Sequence, residues 1–544
     1  LESLVLSRGR ILEFCEESMR EIFRALQTLP ESSLVEAWSV VAGCLSRLEK
    51  LKKGDARRAK AARVAIYRFA ELYQSGIGAL HPRLLELQNL VHLFPAFVVP
   101  LEFRESSDVL MAEVSGGRPI AIERMLGALA GISEGGDPRW YVRGLIVSMT
   151  GELAHLQAAA RLVKRKFGKI SLPIVPLFEN AAALGASVEI IKALLADKRL
   201  ATALRTHWGG YLEIMVGYSD SSKENGVFPS RRLIAEAMHR LDQLCRAKKV
   251  TPLFFQGSGG SVDRGGGNIT EQTAWWPAGA LRNYKVTLQG EMVERSLATP
   301  EITRRQLERI AAAAGRWRKV SKAPFKESKE VKAFAKRIQD LYRAEIHKPE
   351  FLNMVERATP YQFLDALRIG SRPSKRVTQL SVAGLRAIPW VLCWTQSRVL
   401  FPTWWGVGLA WEKALSAERA ALKKAYRQDP VFATYVRALV FTIAKVQLAV
   451  WFLYLERSAL SKDQVHAHQA RFAAEFERAQ EFARGILGKQ NFAEWTPWLI
   501  ESIALRSPMI HPLNLLQLLA LERKDADLLR ITVTGIASGM MTTG

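Results

Sequence analysis

The spacing of apolar residues divides the chain into helical regions and a set of short strands. Residues 10–80, 180–205 and 408 to the end carry apolar side chains three and four positions apart, which predicts amphipathic helices. Outside them lie five apolar segments of strand length: FVVPLEF (97–103), GLIVSM (144–149), LPIVPLF (172–178), YLEIMVGY (211–218) and VTPLFF (250–255). Because helix-like stretches separate most of these segments, we predict parallel strands with helical crossovers.

Polar groups follow each predicted strand. They are Arg104, Thr150, Glu179, Asp220 and the glycine-rich segment FFQGSGGSVDRGGG at 254–267. A (β/α) barrel presents its functional groups in this way, just past the carboxyl ends of its strands. The predicted organisation has four parts: a helical region at 1–94, a barrel portion at 95–315, a basic linker or insertion at 316–350, and a helical region at 351–544 that holds the remaining barrel.

The charge is unusual for a globular chain. The 544 residues include 77 Lys and Arg against 53 Asp and Glu, for a net charge of +24. The surplus is partly concentrated in residues 52–63 and 316–337. These blocks are either solvated helical faces or contacts for a polyanion or an acidic protein. No nucleic-acid-binding motif accompanies them in the sequence.

The spacing of the cysteines and the length of the apolar runs indicate the cellular compartment in which we expect the protein. The four cysteines are far apart and lack metal-ligand spacing, so we expect reduced thiols in a cytoplasmic protein. No apolar run reaches the ~20 residues that span a bilayer, and no targeting signal is visible. The longest candidate, residues 438–455, contains Lys445 and Gln447, and we predict that it is a buried helix.

Three features have the character of a binding site. Glu179 and Asp220 end neighbouring predicted strands, where two carboxylates could hold Mg²⁺ or could simply cap the following helices. The glycine-rich loop offers backbone N–H groups and Arg264 to an anion, or it forms a mobile lid. Further arginines are surface residues individually, but together they favour a pocket for a small molecule with two negative charges: Arg104, Arg372, Arg386 and Arg398.

These segments resemble the phosphoenolpyruvate carboxylase family in order and in approximate spacing. The motifs that carry the resemblance span residues 95–544: LEFRESS, VSM, PLFEN, GYSDSSKENG, GSGGSVDRGGG, VTLQGEMVERS, SRPSKR, LRAIPWVLCWTQSR, IALRSPMIHPLNLLQ and VTGIASGMMTTG. The resemblance implies a mainly α-helical fold around a (β/α)₈, TIM-like barrel, incomplete in this chain. It also implies a carbon–carbon lyase that joins phosphoenolpyruvate and bicarbonate to give oxaloacetate and phosphate, with Mg²⁺ or Mn²⁺.

The resemblance further implies roles for individual residues. Glu179 and Asp220 match metal ligands. Arg264 and Lys223 match catalytic cations. The substrate-binding matches are Arg104, Arg264, Arg398, Gly265 and Gly266. The matches for a site that binds an aspartate or malate effector are Lys445, Arg506, Arg264 and Thr542.

The chain departs from the family pattern at several of these positions. Gln256 replaces a histidine and Ser258 replaces an arginine, so one titratable group and one charge are lost. Thr542 replaces the asparagine of the effector site. The family segment Thr-Ala-His-Pro-Thr has no counterpart here, since His81 in LHPRLL is no acceptable equivalent.

These departures leave two main hypotheses open. The chain is a phosphoenolpyruvate carboxylase, working or residual, that an N-terminal segment or a separate chain completes. Alternatively, it is a degenerate homologue that acts as a binding or scaffold protein for an acidic partner or nucleic acid. A different reaction on a related phosphorylated acid is a lesser third possibility. The family resemblance leads us to expect a homo-oligomer, a dimer or a tetramer, and no membrane partner.

Overall fold

The computed structural model describes residues 2–26, 32–114, 120–288, 290–320, 327–363, 382, 384, 387–488 and 497–541. Three residues named above lie outside these ranges: Arg372, Arg386 and Thr542.

Helices dominate the described chain. In the first part of the chain they are α1 Glu2–Leu26, α2 Ser32–Ser46, α3 Asp55–Ile77, α4 Pro82–Leu93, α5 Ser107–Val114, α6 Ala121–Ile132, α7 Leu153–Phe167, α8 Ala181–Ala196 and α9 Lys198–Thr206. Those that follow are α10 Ser219–Asn225, α11 Val227–Ala247, α12 Ile269–Thr273, α13 Ala278–Arg282, α14 Gly290–Leu297, α15 Pro300–Gly315, α16 Lys329–Ile346, α17 Pro349–Ala358, α18 Ala387–Gln396, α19 Val407–Glu412, α20 Ser416–Gln428, α21 Pro430–Ile443, α22 Leu448–Glu456, α23 Lys462–Leu487, α24 Pro497–Arg523 and α25 Ala526–Gly539.

Six described strands form a sheet in simple chain order, β1-β2-β3-β4-β5-β6. Their bounds are β1 Leu101–Ser106, β2 Val142–Ser148, β3 Ile174–Phe178, β4 Tyr211–Gly217, β5 Thr251–Gly257 and β6 Lys285–Val286. The pairs β1–β2, β2–β3 and β5–β6 are parallel, with Leu145 of β2 opposite Ile174 of β3 and Phe255 of β5 opposite Lys285 of β6. Helices follow most strands, so the prediction of a mainly helical protein with an incomplete, barrel-type parallel sheet is confirmed.

The strand predictions were accurate except at the first strand. The segment 97–103 was predicted as strand, but β1 begins at Leu101 and continues to Ser106. Phe97 has φ +54, in the left-handed region, and its N–H donates to the carbonyl of Phe94 at 2.8 Å, so a turn occupies the predicted start. The strand β6 was not predicted, because two residues carry no detectable alternation.

The chain clusters into two compact units. The first comprises Leu1–Leu177 and Ile190–Glu213, and the second comprises Phe178–Glu189 and Ile214–Gly544. In the first unit β2 is almost entirely buried, which explains its continuous apolar sequence. The four-part division of the chain remains a prediction, because it rests on sequence composition, whereas the two units are defined by contacts between residues.

An aromatic-rich core fills the second unit. Trp390, Trp394 and Trp404 are each 1% exposed or less, as expected for tryptophans at near-helical spacing. The apolar face of α16, with Phe334 and Tyr342, packs in the same core. Residues 329–346 of the predicted linker are therefore a packed helix.

The apolar segment 438–455 is not one helix. It belongs to α21 and α22, which bend by 61° across a break that contains Lys445. Among the described residues no single helix is long and apolar enough to cross a membrane, although this bent pair passes the test of length and composition.

Candidate active site at the strand ends

The second unit brings most of the predicted site residues to the ends of three consecutive strands. Glu179 directly follows β3, Asp220 lies in α10 just after β4, and Gln256 is the penultimate residue of β5. Carboxyl ends of parallel strands in a barrel-type sheet lie on one side of the sheet. Lys223, Ser258 and Arg264 belong to the segments that follow β4 and β5.

Asp220 is flanked by a buried lysine and a second acid. The Nζ of Lys223 lies 3.4 Å from Oδ1 of Asp220, and the lysine side chain is 1% exposed. Burial raises the pKa of Glu224, and the charge of Asp220 raises it further. The backbone N–H of Ala181, two residues after Glu179, donates to the Glu224 carboxylate. Glu224 therefore links α10 to the segment that carries Glu179.

The predicted metal ligands fit a magnesium-type site in chemistry. Glu179 is 6% exposed and Asp220 is partly buried, so both carboxylates are shielded from bulk water. Among the described residues there is no group of three or more His, Cys, Asp or Glu side chains suited to a metal. Mg²⁺ commonly takes one or two protein carboxylates and completes its shell with water and substrate oxygens. Asp220 beside Lys223, with Glu179 directly after the preceding strand, is compatible with that pattern.

The glycine loop is folded on itself by backbone hydrogen bonds. The N–H of Gly259 donates to the carbonyl of Arg264 at 2.7 Å, and the N–H of Gly266 donates to Ser261 at 2.7 Å. The N–H of Gly265 donates to Val262 at 3.1 Å. These three amides are thus occupied within the loop and are not offered to an anion.

Two glycines of the loop are required by its shape. Gly265 has φ +80, and a Cβ built on it would lie 2.4 Å from the ring of Tyr218. A Cβ on Gly266 would lie 2.2 Å from the carbonyl oxygen of Gly260. The positions matched to substrate binding by resemblance therefore also have a packing reason to be glycine.

Arg264 is held beside the acidic helix. Its side chain lies against Gly259, where an added Cβ would approach Nε to 2.6 Å, and it is 6% exposed. The Nε donates to Oγ of Ser219 at 3.2 Å. The loop therefore places a guanidinium against the first residue of α10, the helix that also carries Asp220.

Gln256 is buried and hydrogen-bonded within the protein. It is 1% exposed, and its Oε1 accepts a hydrogen bond from the Tyr218 hydroxyl at 2.7 Å. Its Nε2 faces the Sδ of Met238 at 3.8 Å. A carboxamide does not titrate near neutral pH, so this position cannot serve as a general base. Ser258 is also buried, at 6% exposure, and brings no charge.

Two predicted effector-site cations converge on the end of α25. The Nζ of Lys445 donates to the carbonyl of Met540 at 2.9 Å, and Nη1 of Arg506 donates to the carbonyl of Gly539. Cations at a helix carboxyl terminus are favoured because the last carbonyls are unpaired and the helix dipole is negative there. Thr542, the third residue of this prediction, lies outside the described residues.

The remaining two substrate-binding predictions lie elsewhere. Arg104 is an exposed residue of β1 in the first unit. Arg398 follows α18 in the second unit, is 0% exposed, and has Tyr454 and His511 as its described electrostatic neighbours. Sequence reasoning missed Tyr218 and Glu224. Glu224 was visible in the segment SDSSKEN, but its hydrogen bond with the N–H of Ala181 could not be read from the sequence.

Comparison with known proteins gives a consistent result. The family model described as phosphoenolpyruvate carboxylase matches residues 138–544. A phosphoenolpyruvate carboxylase of Chromohalobacter salexigens is 32% identical over 418 residues, 73% of this chain and 46% of that protein. Phosphoenolpyruvate carboxylase 2 of Chlamydomonas reinhardtii is 32% identical over 69% of this chain and 32% of its own length. The chain thus spans half or less of the length of these curated relatives.

Proposed function

Because the chain belongs to the phosphoenolpyruvate carboxylase family, we propose that it takes part in the carboxylation of phosphoenolpyruvate by bicarbonate, which yields oxaloacetate and phosphate. The observation that most supports this proposal is the contact of Arg264 with Ser219, which puts a buried cation against the residue that precedes Asp220. Phosphoryl transfer followed by enolate capture needs such fixed positive charge where negative charge develops.

Each residue has a defined part in this proposal. Glu179 and Asp220 would hold Mg²⁺ or Mn²⁺, which stabilises negative charge on the enolate oxygen when bound. Arg264 and Lys223 neutralise the migrating phosphoryl group, and Gly265 and Gly266 keep the loop that presents Arg264 in shape. Arg104 and Arg398 stay further substrate-binding candidates by resemblance.

A binding or scaffold role is the second candidate. The hydrogen bond between Gln256 and Tyr218 favours this role, because Gln256 occupies the position of the family histidine and cannot transfer a proton. The net charge of +24 would then serve an acidic protein or a nucleic acid.

Assembly and regulation belong to the same proposal. We expect a dimer or a tetramer, or a complementing N-terminal segment or chain that would supply what the half-length match leaves out. Lys445, Arg506 and Arg264 are the candidate cations for a dicarboxylate effector, and we expect the protein in the cytoplasm.

A coupled assay tests the enzyme proposal. The chain, with any upstream coding sequence restored, is supplied with Mg²⁺, bicarbonate and phosphoenolpyruvate, and oxaloacetate is followed through NADH oxidation. We expect turnover that falls at least about 100-fold in Arg264→Ala, the loss typical of a group that stabilises transition-state charge. Arg240→Ala, which removes an arginine that is 61% exposed, is the matched control and should leave turnover unchanged.

Two outcomes decide between the candidates. Turnover that disappears in Arg264→Ala but not in Arg240→Ala excludes a purely scaffolding role. Absence of turnover in the natural sequence, together with activity in the double variant Gln256→His/Ser258→Arg, excludes the enzyme proposal and supports a degenerate site.

A further inference from the structure

The first unit contains a cavity of about 490 Å³ at the segments that lead into three strands. Its wall includes Arg139, Ser171 and His207, which lie a few residues before β2, β3 and β4. The residues of the candidate active site, in contrast, follow strands. Sites for small molecules typically measure roughly 300–1,000 Å³, so the cavity has the size of a binding site.

The acidic side chains in the wall of the cavity are already paired with cations. The carboxylate of Glu134 accepts from Nη2 of Arg57 at 2.7 Å. Asp137 accepts from Nε and Nη2 of Arg139 at 2.9 and 2.6 Å. Apart from His207, the wall carries three cations and two acids, a net charge of +1, from Arg139, Lys166, Lys169, Glu134 and Asp137.

Several hydrogen-bond donors in the wall have no partner within the described residues. The side chains of Lys169 and His207 form no hydrogen bond or ion pair there. Ser171 is 5% exposed, and its hydroxyl is buried without a partner. The N–H of Ser171 donates to the carbonyl of Lys169 at 3.0 Å, so a tight turn holds both residues at the cavity. Donors are therefore in excess here, which favours an anionic ligand.

The ends of three helices explain only part of this arrangement. Ser133, Phe167 and Thr206 line the cavity where α6, α7 and α9 end. Cations are favoured at helix carboxyl ends, which accounts for lysines after α7. It does not account for the hydroxyl of Ser171, because a buried polar group normally has a hydrogen-bond partner.

We propose that this cavity binds an organic phosphate monoester through Lys169, Ser171 and His207. The donors come from segments before different strands, and such an arrangement suits a tetrahedral anion with oxygens in several directions. A phosphate monoester offers three strong acceptor oxygens and carries about −1.5 to −2 charge at pH 7. Phe167 is partly exposed in the wall and offers an apolar surface to the organic part of the ligand. The site goes beyond the proposed function, because none of these residues is among the groups described around Arg264.

Lysine labelling read at single residues tests the site in the whole chain. The acetylation rates of Lys169 and Lys198 are measured by mass spectrometry at constant ionic strength against rising phenyl phosphate. A bound ligand covers Lys169, so its rate should fall in a saturable way, about tenfold at ten times the dissociation constant. Lys198 is exposed at the start of α9 and should keep its rate. Absence of protection at Lys169, or equal protection of both lysines, would overturn the proposal.

Three further compounds define the ligand chemistry in the same measurement. Inorganic phosphate should protect Lys169 more weakly than phenyl phosphate, because it lacks an organic part. Benzoate should give no saturable protection, and protection by benzoate equal to that by phenyl phosphate would contradict recognition of a phosphate group. Phosphoenolpyruvate is itself a phosphate monoester. Tighter protection by phosphoenolpyruvate than by phenyl phosphate identifies the proposed substrate as the source of the ligand, and the reverse order identifies a phosphate ester with a more apolar body.

Two serines in the wall provide a matched pair of substitutions. Ser171→Ala removes a hydroxyl without a partner, so the melting temperature without ligand should not fall. The dissociation constant for phenyl phosphate, measured from Lys169 protection, should rise about tenfold, as for the loss of one charge-assisted hydrogen bond. Ser133 is also 5% exposed, but its hydroxyl donates to the carbonyl of Leu129 at 2.7 Å. Ser133→Ala should therefore lower the melting temperature and leave the dissociation constant unchanged.

The outcomes also separate this site from the candidate active site. Arg264→Ala should retain the natural dissociation constant at Lys169, whether or not the chain turns over phosphoenolpyruvate. Equal dissociation constants in Ser171→Ala and the natural protein would contradict a role of the Ser171 hydroxyl in binding. Loss of Lys169 protection in Arg264→Ala would contradict a separate site.

Discussion

At the scale of the residue, Gly265 combines two constraints that can be measured separately. It has φ +80, and a Cβ would lie 2.4 Å from the ring of Tyr218. We expect Gly265→Ala to lower the free energy of unfolding by roughly 2–4 kcal/mol, because left-handed strain and overpacking both contribute. Urea denaturation of the two proteins measures the difference.

Gly168 provides the matched control. It has φ +73 and no atom within 4 Å of an added Cβ, so Gly168→Ala carries the backbone strain without the clash. The difference between the two variants reports the contact with Tyr218. Equal destabilisation by the two substitutions would contradict the close packing of Gly265 on the ring of Tyr218.

The role of a residue was predictable from the sequence only where that role depends on its neighbours along the chain. The glycines and Arg264 of the loop were identified from one segment of fourteen residues. The partner of Gln256 is Tyr218, 38 residues earlier, and His511 lies more than a hundred residues after Arg398. Because such contacts arise only from the fold, the burial of Gln256 and of Arg398 could not be inferred beforehand.

At the scale of the element, α19 depends on a buried carboxylate from α23. Glu475 accepts from the N–H groups of Gly408 and Leu409 at 2.9 and 3.1 Å. Burial nevertheless raises the pKa of Glu475 to about 7. The folded state then binds a proton more tightly than the unfolded state, whose carboxyl has an ordinary pKa near 4.5. This group therefore reduces stability as pH rises from about 4.5 to 7, with no further change above 7.

Substitution of Glu475 by glutamine should remove this pH dependence. Glutamine keeps an acceptor for the α19 amides but carries no charge. Between pH 5 and pH 8 the stability of Glu475→Gln should therefore improve relative to the natural protein by on the order of 2 kcal/mol. Urea midpoints at several pH values measure it, with Glu412→Gln as an exposed control. A parallel pH profile of the two proteins would show that Glu475 is charged throughout.

Element boundaries were less predictable than element types. The first strand begins four residues later than predicted, because the turn at Phe97 depends on a backbone contact and not on residue type. The predicted single helix at 438–455 is broken, and Lys445 in the break donates to α25, far along the chain. Apolar spacing indicated a buried segment correctly, but it could not locate a bend that tertiary contacts create.

At the scale of the whole molecule, the alternation of strands and helices was enough to predict a parallel, barrel-type sheet. It was not enough to predict the division into two units, since the boundary between them passes through β3, α8 and β4. The grouping of contacts depends on the folded chain, which local residue composition does not describe.

The net charge of +24 leads to the last prediction, which concerns a polyanion. In α15, only Ala313 is buried, and the exposed residues include Arg304, Arg305 and Arg309. If this helix is a contact surface, replacing the three arginines by glutamine should reduce the dependence of log K on log salt for single-stranded DNA by roughly 2 units, about 0.7 for each lost phosphate contact. The salt dependence of a fluorescence-anisotropy titration measures the slope.

A second triple variant distinguishes a defined surface from charge alone. Lys423, Lys424 and Arg427 lie exposed on α20, so their replacement by glutamine removes the same charge from another helix of the same unit. We expect this control to retain the slope of the natural protein, because long-range attraction to scattered charges is screened beyond about 10 Å at 0.1 M salt. Equal losses in the two triple variants would mean that the excess charge acts as a whole. In that case α15 is a solvated face and not a defined contact surface for a polyanion.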